Sequence, residues 1–414
     1  MTASKVFLAG VLALSLPLAA TAQPAPAAPA APAAPLVQVY GTLNVNLQYT
    51  GAEGSTVPAN NVKPRFAISI DSSNIGVRGT AEVAHGLKVV YQCETQASID
   101  GEDTRAICNR NSRVGLSSDF GTLFYGNWDT PYKAGTYGTN ADDAFGNTDV
   151  FGFQGIMGSP GYGVRSSAIG ASAANTASFD QRAANSLAYW SPKFFGASAK
   201  VQVSMDEFAN AAGTIRPLLV SGVVNYDLAG LSVVGQVEYH EDYYGIRTMS
   251  GSNATFRAAK DLAFRLAAGY ALPLGDNTLT LSGMYEQLSY KQEGAIAGFK
   301  DYSRGAFLLG AKFRMGDHEL RARFSSAASP DITAATGTTL AAGAKDQLGA
   351  SQIALGYAYF LGKNTQTFLF WTQIANQDRA RYTFGVSGAA AVVGANTPAG
   401  SSPSALGLGI RHAF

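Results

Sequence analysis

The sequence predicts an all-β protein, a 16-stranded antiparallel transmembrane β-barrel with short turns at one rim and long loops at the other. Three observations carry that prediction. Apolar residues recur at every second position, as in Val37-Val39-Gly41-Leu43-Val45-Leu47, Leu231-Val233-Gly235-Val237-Tyr239 and Ile353-Leu355-Tyr357-Tyr359-Leu361, the period of a strand with one apolar face. Charged residues are only 14% of the chain, against about 25% in soluble domains, while there are 46 glycines, 19 tyrosines and 22 phenylalanines. The connections between periodic segments fall into two unequal classes, seven short and eight long.

From the N-terminus, Lys5 precedes an apolar run from Val6 to Ala20, followed by the small-x-small pattern Ala20-Thr21-Ala22. That is the form of a secretory signal peptide over residues 1–22, with the mature chain starting near Gln23. Residues 23–36 contain the Pro/Ala tract from Pro24 to Pro35, which has no side chains to build a core and reads as an extended periplasmic linker. Residues 37–414 are assigned to the barrel. No 18-residue apolar run follows the signal, so no transmembrane helix is expected. A β-sandwich array is the other architecture the composition allows. The formal net charge of +1 gives no reason to expect nucleic acid, and no cofactor or metal is expected.

The short connections are at 83–87, 119–123, 192–198, 227–232, 273–279, 315–320 and 361–366, and each contains glycine, which tolerates the positive φ of tight hairpins. Between them lie long polar or glycine-rich stretches at about 49–65, 100–108, 129–182, 207–217, 242–256, 291–302, 328–346 and 375–404. Seven turns and eight loops connect 16 strands. A sandwich mixes loop lengths at both ends, whereas an outer-membrane barrel has short periplasmic turns, long external loops and aromatic girdles. A bilayer forbids unpaired backbone groups, so such a sheet must close on itself. The chain ends "ALGLGIRHAF", with Leu406, Leu408, Ile410 and Phe414 on one face, as a closing strand would.

The segments "VYGTLNVNLQY" (39–49), "SNIGVRGTAEVAHGLKVVYQCE" (73–94), "RNSRVGLSSDFGTLFYGNWDTPYK" (110–133), "ANSLAYWSPKFFG" (184–196) and the terminal "GLGIRHAF" resemble the trimeric general porins of Gram-negative bacteria, in the Neisseria-like and β-proteobacterial branch. The resemblance covers essentially everything after the linker. It implies an outer-membrane protein, surrounded by membrane lipid and lipopolysaccharide and assembled as a homotrimer, through which small ions and hydrophilic solutes diffuse. It also implies that Phe414 belongs to the signal read by the barrel-assembly machinery.

A barrel of this size leaves a water-filled lumen that something must narrow. The long segment 129–182 lacks periodicity, and a stretch of that length in a compact protein is usually functional or disordered. It resembles the family's third loop, which folds into the lumen. Asp142, Asp143 and Asp149, the acidic residues away from its ends, are the candidates for the negative side of a constriction. For the positive side, alternation sends Arg78, Arg113, Arg321 and Arg323 away from their apolar neighbours and into the lumen; the opposite register would place each in lipid at a cost of roughly 2–4 kcal/mol near the midplane. Arg78 matches the family's basic eyelet position and Arg113 lies beside another, but Phe124 stands where relatives often carry a basic residue. Lys88, Arg65, Arg265 and Arg304 are further candidates. Acids facing bases across a narrow wet gap favour small polar solutes, and an arginine-rich wall adds a mild anion preference.

Cys93 and Cys108 bracket an expected external loop; the even count and oxidising compartment favour a disulfide, the alternative being two buried or lipid-facing thiols. An outer-membrane enzyme is a rival class, but Gly-x-Ser-x-Gly, His-Glu-x-x-His and P-loop motifs are missing. His240, with Glu238, Glu241 and Asp242, reads as a hydrated strand end. A substrate-selective channel is the closer alternative, with Trp128, Tyr132 and Tyr137 as a binding track; an adhesin acting through its loops is the third.

Overall fold

The computed structural model describes residues 37–84, 86–99, 101, 106–145, 152–161, 164–166, 179–205, 217–241, 244–246, 259–292, 299–334, 346–384, 393 and 397–414. The expected signal peptide and linker lie outside the described residues, as do His85 and Asp149.

The described chain is a closed barrel of 16 antiparallel strands. In chain order they are β1 (Gln38–Glu53), β2 in two pieces (Val62–Ser69 and Asn74–Ala84), β3 (Leu87–Gln96), β4 (Ser112–Ser118), β5 (Gly121–Asp129), β6 (Arg182–Trp190), β7 (Ala197–Met205) and β8 (Leu218–Leu228). There follow β9 (Leu231–Glu241), β10 (Ala259–Leu274), β11 (Asn277–Gln292), β12 (Phe299–Met315), β13 in two pieces (His318–Ala327 and Asp331–Ala334), β14 (Ala350–Phe360), β15 (Thr365–Asn376) and β16 (Ser402–Ala413). Each strand pairs with the next, and β16 returns to β1 over the register Thr42↔Ala413 to Glu53↔Ser402. The backbones of Gly41 and Phe414 exchange two hydrogen bonds of 3.1 Å, so the terminal residue completes the seam.

All seven short turns fall where the glycine-containing segments predict them. Several long-loop boundaries shift, because the strands run past the point where the apolar period fades. The first loop is confined to the stretch between Glu53 and Val62, and β2 is then interrupted at 70–73, where Asp71 and Ser72 take positive φ (22° and 59°). Both pieces of β2 pair with β1, one above the other, so the interruption is a kink in one wall strand. The break in β13 is of the same kind: both pieces pair with β12, on either side of a stretch containing Pro330, which has no N–H for a ladder. The wall is uneven in height, from seven residues in β4 to 17 in β12.

The burial pattern is inverted relative to a soluble protein. Leucines, valines and aromatics of the alternating faces are exposed, as with Leu408 at 61%, Leu309 at 59% and Leu47 at 50%. Asn46, Gln48, Ser221, Gln236, Glu286, Arg304 and Gln352 are among the buried residues, on the opposite face. A continuous apolar exterior around a polar interior is the arrangement a bilayer selects.

Candidate functional site

The third loop, between β5 and β6, enters the lumen and packs on the wall from β8 to β15. It opens with the short helix α1 (Pro131–Ala134), capped by the Thr130 side chain and started by a proline, the residue favoured at a first helical position. Tyr132 N donates to Ser221 Oγ (2.9 Å), Asn225 Nδ2 to Gly135 O (2.7 Å) and Asn140 N to Ser232 Oγ (3.1 Å). Small wall residues make room for the loop. A Cβ on Gly269 would lie 1.8 Å from Asn140 O, and one on Gly356 would lie 2.6 Å from the Phe145 ring. Phe145, Phe153, Ile156 and Met157 then bury against Val234, Ala267, Leu308, Ala354 and Phe370.

A buried ionic cluster fixes the far half of the loop. The Glu286 carboxylate accepts from Tyr132 Oη (2.7 Å), Gly158 N (2.8 Å), Arg265 Nε (3.1 Å) and Nη2 (2.6 Å), and Arg304 Nη1 (3.0 Å). Arg265 also binds Asp180 (3.1 Å), and Arg304 donates to the carbonyls of Ile156 and Ser159. Arg265 and Arg304, candidates for the positive side of the constriction, are thus fully buried loop anchors; all five donors of Arg265 and four of those of Arg304 go to the loop and to Glu286. Arg323 makes a third anchor, 2.6 Å from Asp143.

The docked loop leaves a passage of about 630 Å³ against β1, β2, β12, β13, β15 and β16. On the loop side it is lined by Tyr137, Asp142 and Asp143, and on the wall side by Arg110, Lys312, Arg321 and Arg411, with Asp71 and Glu319 among them. Several of these charges are paired: Arg110 with Glu94 (2.9 Å), Arg321 with Glu319 (2.6 Å) and Asp143 with Arg323. Lys312 and Arg411 make no ion pair among the described residues. Asp142 holds a hydrogen bond from Thr136 (3.1 Å). Burial, and then the neighbouring Asp143, push the Asp142 carboxyl up to about 6, and burial also raises Asp143.

The sequence candidates therefore separate. Arg321, Asp142 and Asp143 border the passage, and Arg323 stands behind Asp143. Arg78 faces the lumen lower down, bonded to Gln38 Oε1 (3.1 Å) and stacked over Tyr40 (4.4 Å). Arg113 lies within 5.0 Å of the rings of Phe124, Trp128 and Trp190. Arg65 is exposed on the same face as its partner Thr50, and Lys88 lies opposite Ser117 on β4. Of the aromatic track, Tyr137 borders the passage, Tyr132 is buried and Trp128 joins the Arg113 group. Lys312 and Arg411 were missed as constriction candidates, although Leu309-Ala311-Phe313 and Leu408-Ile410 point outward and send both inward. Cys93 and Cys108 form a disulfide. His240 is fully buried, not hydrated: it bonds Glu238 (3.0 Å), lies 3.9 Å from Asp261 and stacks on Phe179 of the loop, because the loop covers that strand end.

The family model described as Gram-negative porin matches residues 13–379. The chain is 27% identical over 390 residues to outer membrane porin protein 32 of Delftia acidovorans, covering 91% of this chain and 94% of that one. It is 24% identical over 381 residues to major outer membrane protein P.IA of Neisseria meningitidis serogroup C, covering 88% of each. Among solved structures, the anion-selective porin from Comamonas acidovorans superposes with a TM-score of 0.67 at 23% identity, over 91% of this chain and 99% of that one. OmpT of Vibrio cholerae gives 0.58 at 15% identity, over 91% and 99%. With a polar lumen inside an apolar cylinder and a family match spanning most of its length, this chain belongs to the Gram-negative porin family of the outer membrane.

Proposed function

We propose that the protein is a general diffusion channel for small hydrophilic solutes and ions, with a mild anion preference and no catalytic step. The observation that carries this is the arrangement of charge in the passage: Lys312 and Arg411 stand on the wall without ion-pair partners among the described residues, Asp143 and Glu319 are neutralised by Arg323 and Arg321, and the other lining carboxylates are Asp71, hydrogen-bonded to Asn46 and Ser69, and Asp142, half-buried beside the gap. A permeating anion meets these two wall cations, and the loop carboxylates across the gap orient water and penalise apolar solutes.

The sites follow from that reading. Asp142 is the acidic face, Lys312, Arg321 and Arg411 the basic face, and Arg78 and Arg113 guide ions along the wall away from the narrowest point. The Comamonas neighbour is an anion-selective porin, which agrees with the preference proposed for this protein. We assign a homotrimer assembled through the barrel machinery with Phe414 in its recognition signal, and a cleaved leader with a linker before the barrel. The seam bonds of Phe414 and its half-exposed ring at the short-turn rim support that role. The test is reversal potential in a KCl gradient across a planar bilayer: a sign showing cation selectivity overturns the anion preference.

A further inference from the structure

We propose that the lumen wall of β4 to β7 carries a second, saturable site for planar aromatic carboxylates, built on Arg113, Trp128, Trp190 and Lys200. The proposal rests on the channel reading only in that the site must be reached through the lumen. Val114 and Leu116 point to lipid, which turns Arg113 inward, and ladder partners place Phe124, Trp190 and Lys200 on the same face.

The Arg113 guanidinium carbon lies 4.7 Å from the Trp128 ring, 4.7 Å from Trp190 and 5.0 Å from Phe124, and the Lys200 ammonium stands 5.1 Å from Trp190. The rings meet edge to face at 5.0 to 5.3 Å. Phe124 is fully buried as the floor, and Trp128 and Trp190 remain partly open to the lumen. Cation–π attraction holds such a group together, but a guanidinium has five donors that seek acceptors. Arg113 makes no hydrogen bond or ion pair among the described residues, and its Nε and Nη1 are enclosed without an acceptor. Lys200 likewise has no carboxylate partner among them. The nearby Asp129 is taken by Lys133 and Arg182, each at 3.1 Å, so two cations face the lumen beside two indoles with no carboxylate partner among the described residues.

That combination recognises a ring and a negative charge in one molecule. An aliphatic acid meets only the cations, and a neutral aromatic only the rings. An aromatic carboxylate stacks on the open part of an indole while its oxygens accept from Arg113 Nη2, the guanidinium nitrogen that is not enclosed, and from Lys200, interactions that are charge-assisted and stronger than neutral ones.

The test uses the full protein in planar bilayers with benzoate as the probe, and cyclohexanecarboxylate and benzyl alcohol as comparators. Benzoate is expected to reduce the open-channel current saturably, at a concentration roughly three- to tenfold below cyclohexanecarboxylate, the scale of one aromatic pairing, with benzyl alcohol inert. Arg113→Gln raises the half-blocking benzoate concentration at least about tenfold, the scale of a lost charge-assisted hydrogen bond, Arg113→Lys restores part of the effect, and Trp190→Leu weakens benzoate but not acetate. A second readout needs no current: of the three tryptophans, Trp371 lies opposite lipid-facing Leu355 and Leu406, so Trp371→Phe leaves two lumen reporters. Quenching of that variant by 4-nitrobenzoate in detergent should saturate, and Arg113→Gln should shift it. Equal block by benzoate and cyclohexanecarboxylate, or quenching that stays linear, overturns the site while the channel stands. Absence of KCl conductance overturns the channel, and the quenching titration then decides the site alone.

Discussion

Replacing Glu286 by glutamine should release the constriction loop. The carboxylate takes five hydrogen bonds, two from the loop through Tyr132 and Gly158 and three from the wall arginines Arg265 and Arg304. The amide keeps the shape but loses the charge, and in either orientation its NH₂ must face a guanidinium, Arg265 or Arg304, that only donates. Arg265 keeps Asp180, whereas Arg304 loses the one carboxylate it holds. Breaking a buried ion pair by removing one partner costs about 3–5 kcal/mol, which at 1.4 kcal/mol per tenfold is a factor of roughly 100 to 4,000 in the balance between docked and released loop. The barrel ladder does not pass through this carboxylate's side chain, so the wall should persist. Single-channel recording of E286Q is expected to show larger and noisier open currents, and protease should cut between Thr130 and Asp180 where the parent resists. Parental conductance and parental protease resistance together would refute the anchoring role.

The remaining expectations concern charge, selectivity and the external hairpin. Asp142 loses its negative charge as pH falls through about 6, because a raised carboxyl pKa means the proton binds earlier; anion preference should therefore increase between pH 7 and pH 5, and D142N should abolish that increase. Arg411→Gln or Lys312→Gln should weaken the attraction for an anion roughly two- to sixfold, the Boltzmann equivalent of one charge at about 4–8 Å in water, and lower the anion-to-cation permeability ratio by at least that factor; a ratio unchanged in both variants removes them from the basic face. Cys93→Ser opens a loop spanning 15 residues and should lower stability by roughly 3 kcal/mol, read as the midpoint of denaturant unfolding from detergent; full thiol labelling of the unreduced native protein would rule the bridge out.

The fold was legible because a bilayer imposes it residue by residue. Alternation fixes which face meets lipid, glycine marks the tight turns, and unequal connections mark the two rims, so β8, β9, β14 and the seven turns could be read directly. The kinks in β2 and β13 were less legible, since polar residues at strand ends look like loop residues until their ladder partners on β1 and β12 are known. At the constriction, alternation gave the face of Arg321, Arg323, Arg265 and Arg304 but not their depth or their partners. Whether a lumen arginine lines water or anchors the loop depends on where the loop's carboxylates and carbonyls fall, and the loop has no period from which to read that. Lys312 and Arg411 obey the same alternation as Arg321 and Arg323, but alternation gives no depth, and only the position of the docked loop shows that both border the passage. His240 illustrates the opposite error, a polar cluster read as hydrated that the loop's Phe179 covers.

The most direct test of the account is ion conductance by the purified protein in a planar bilayer bathed in a KCl gradient. Discrete, long-lived open steps are expected, with nearly linear current against voltage and a reversal potential of the sign set by chloride. A protein that inserts from detergent yet passes no current, or whose reversal potential follows potassium, would contradict it.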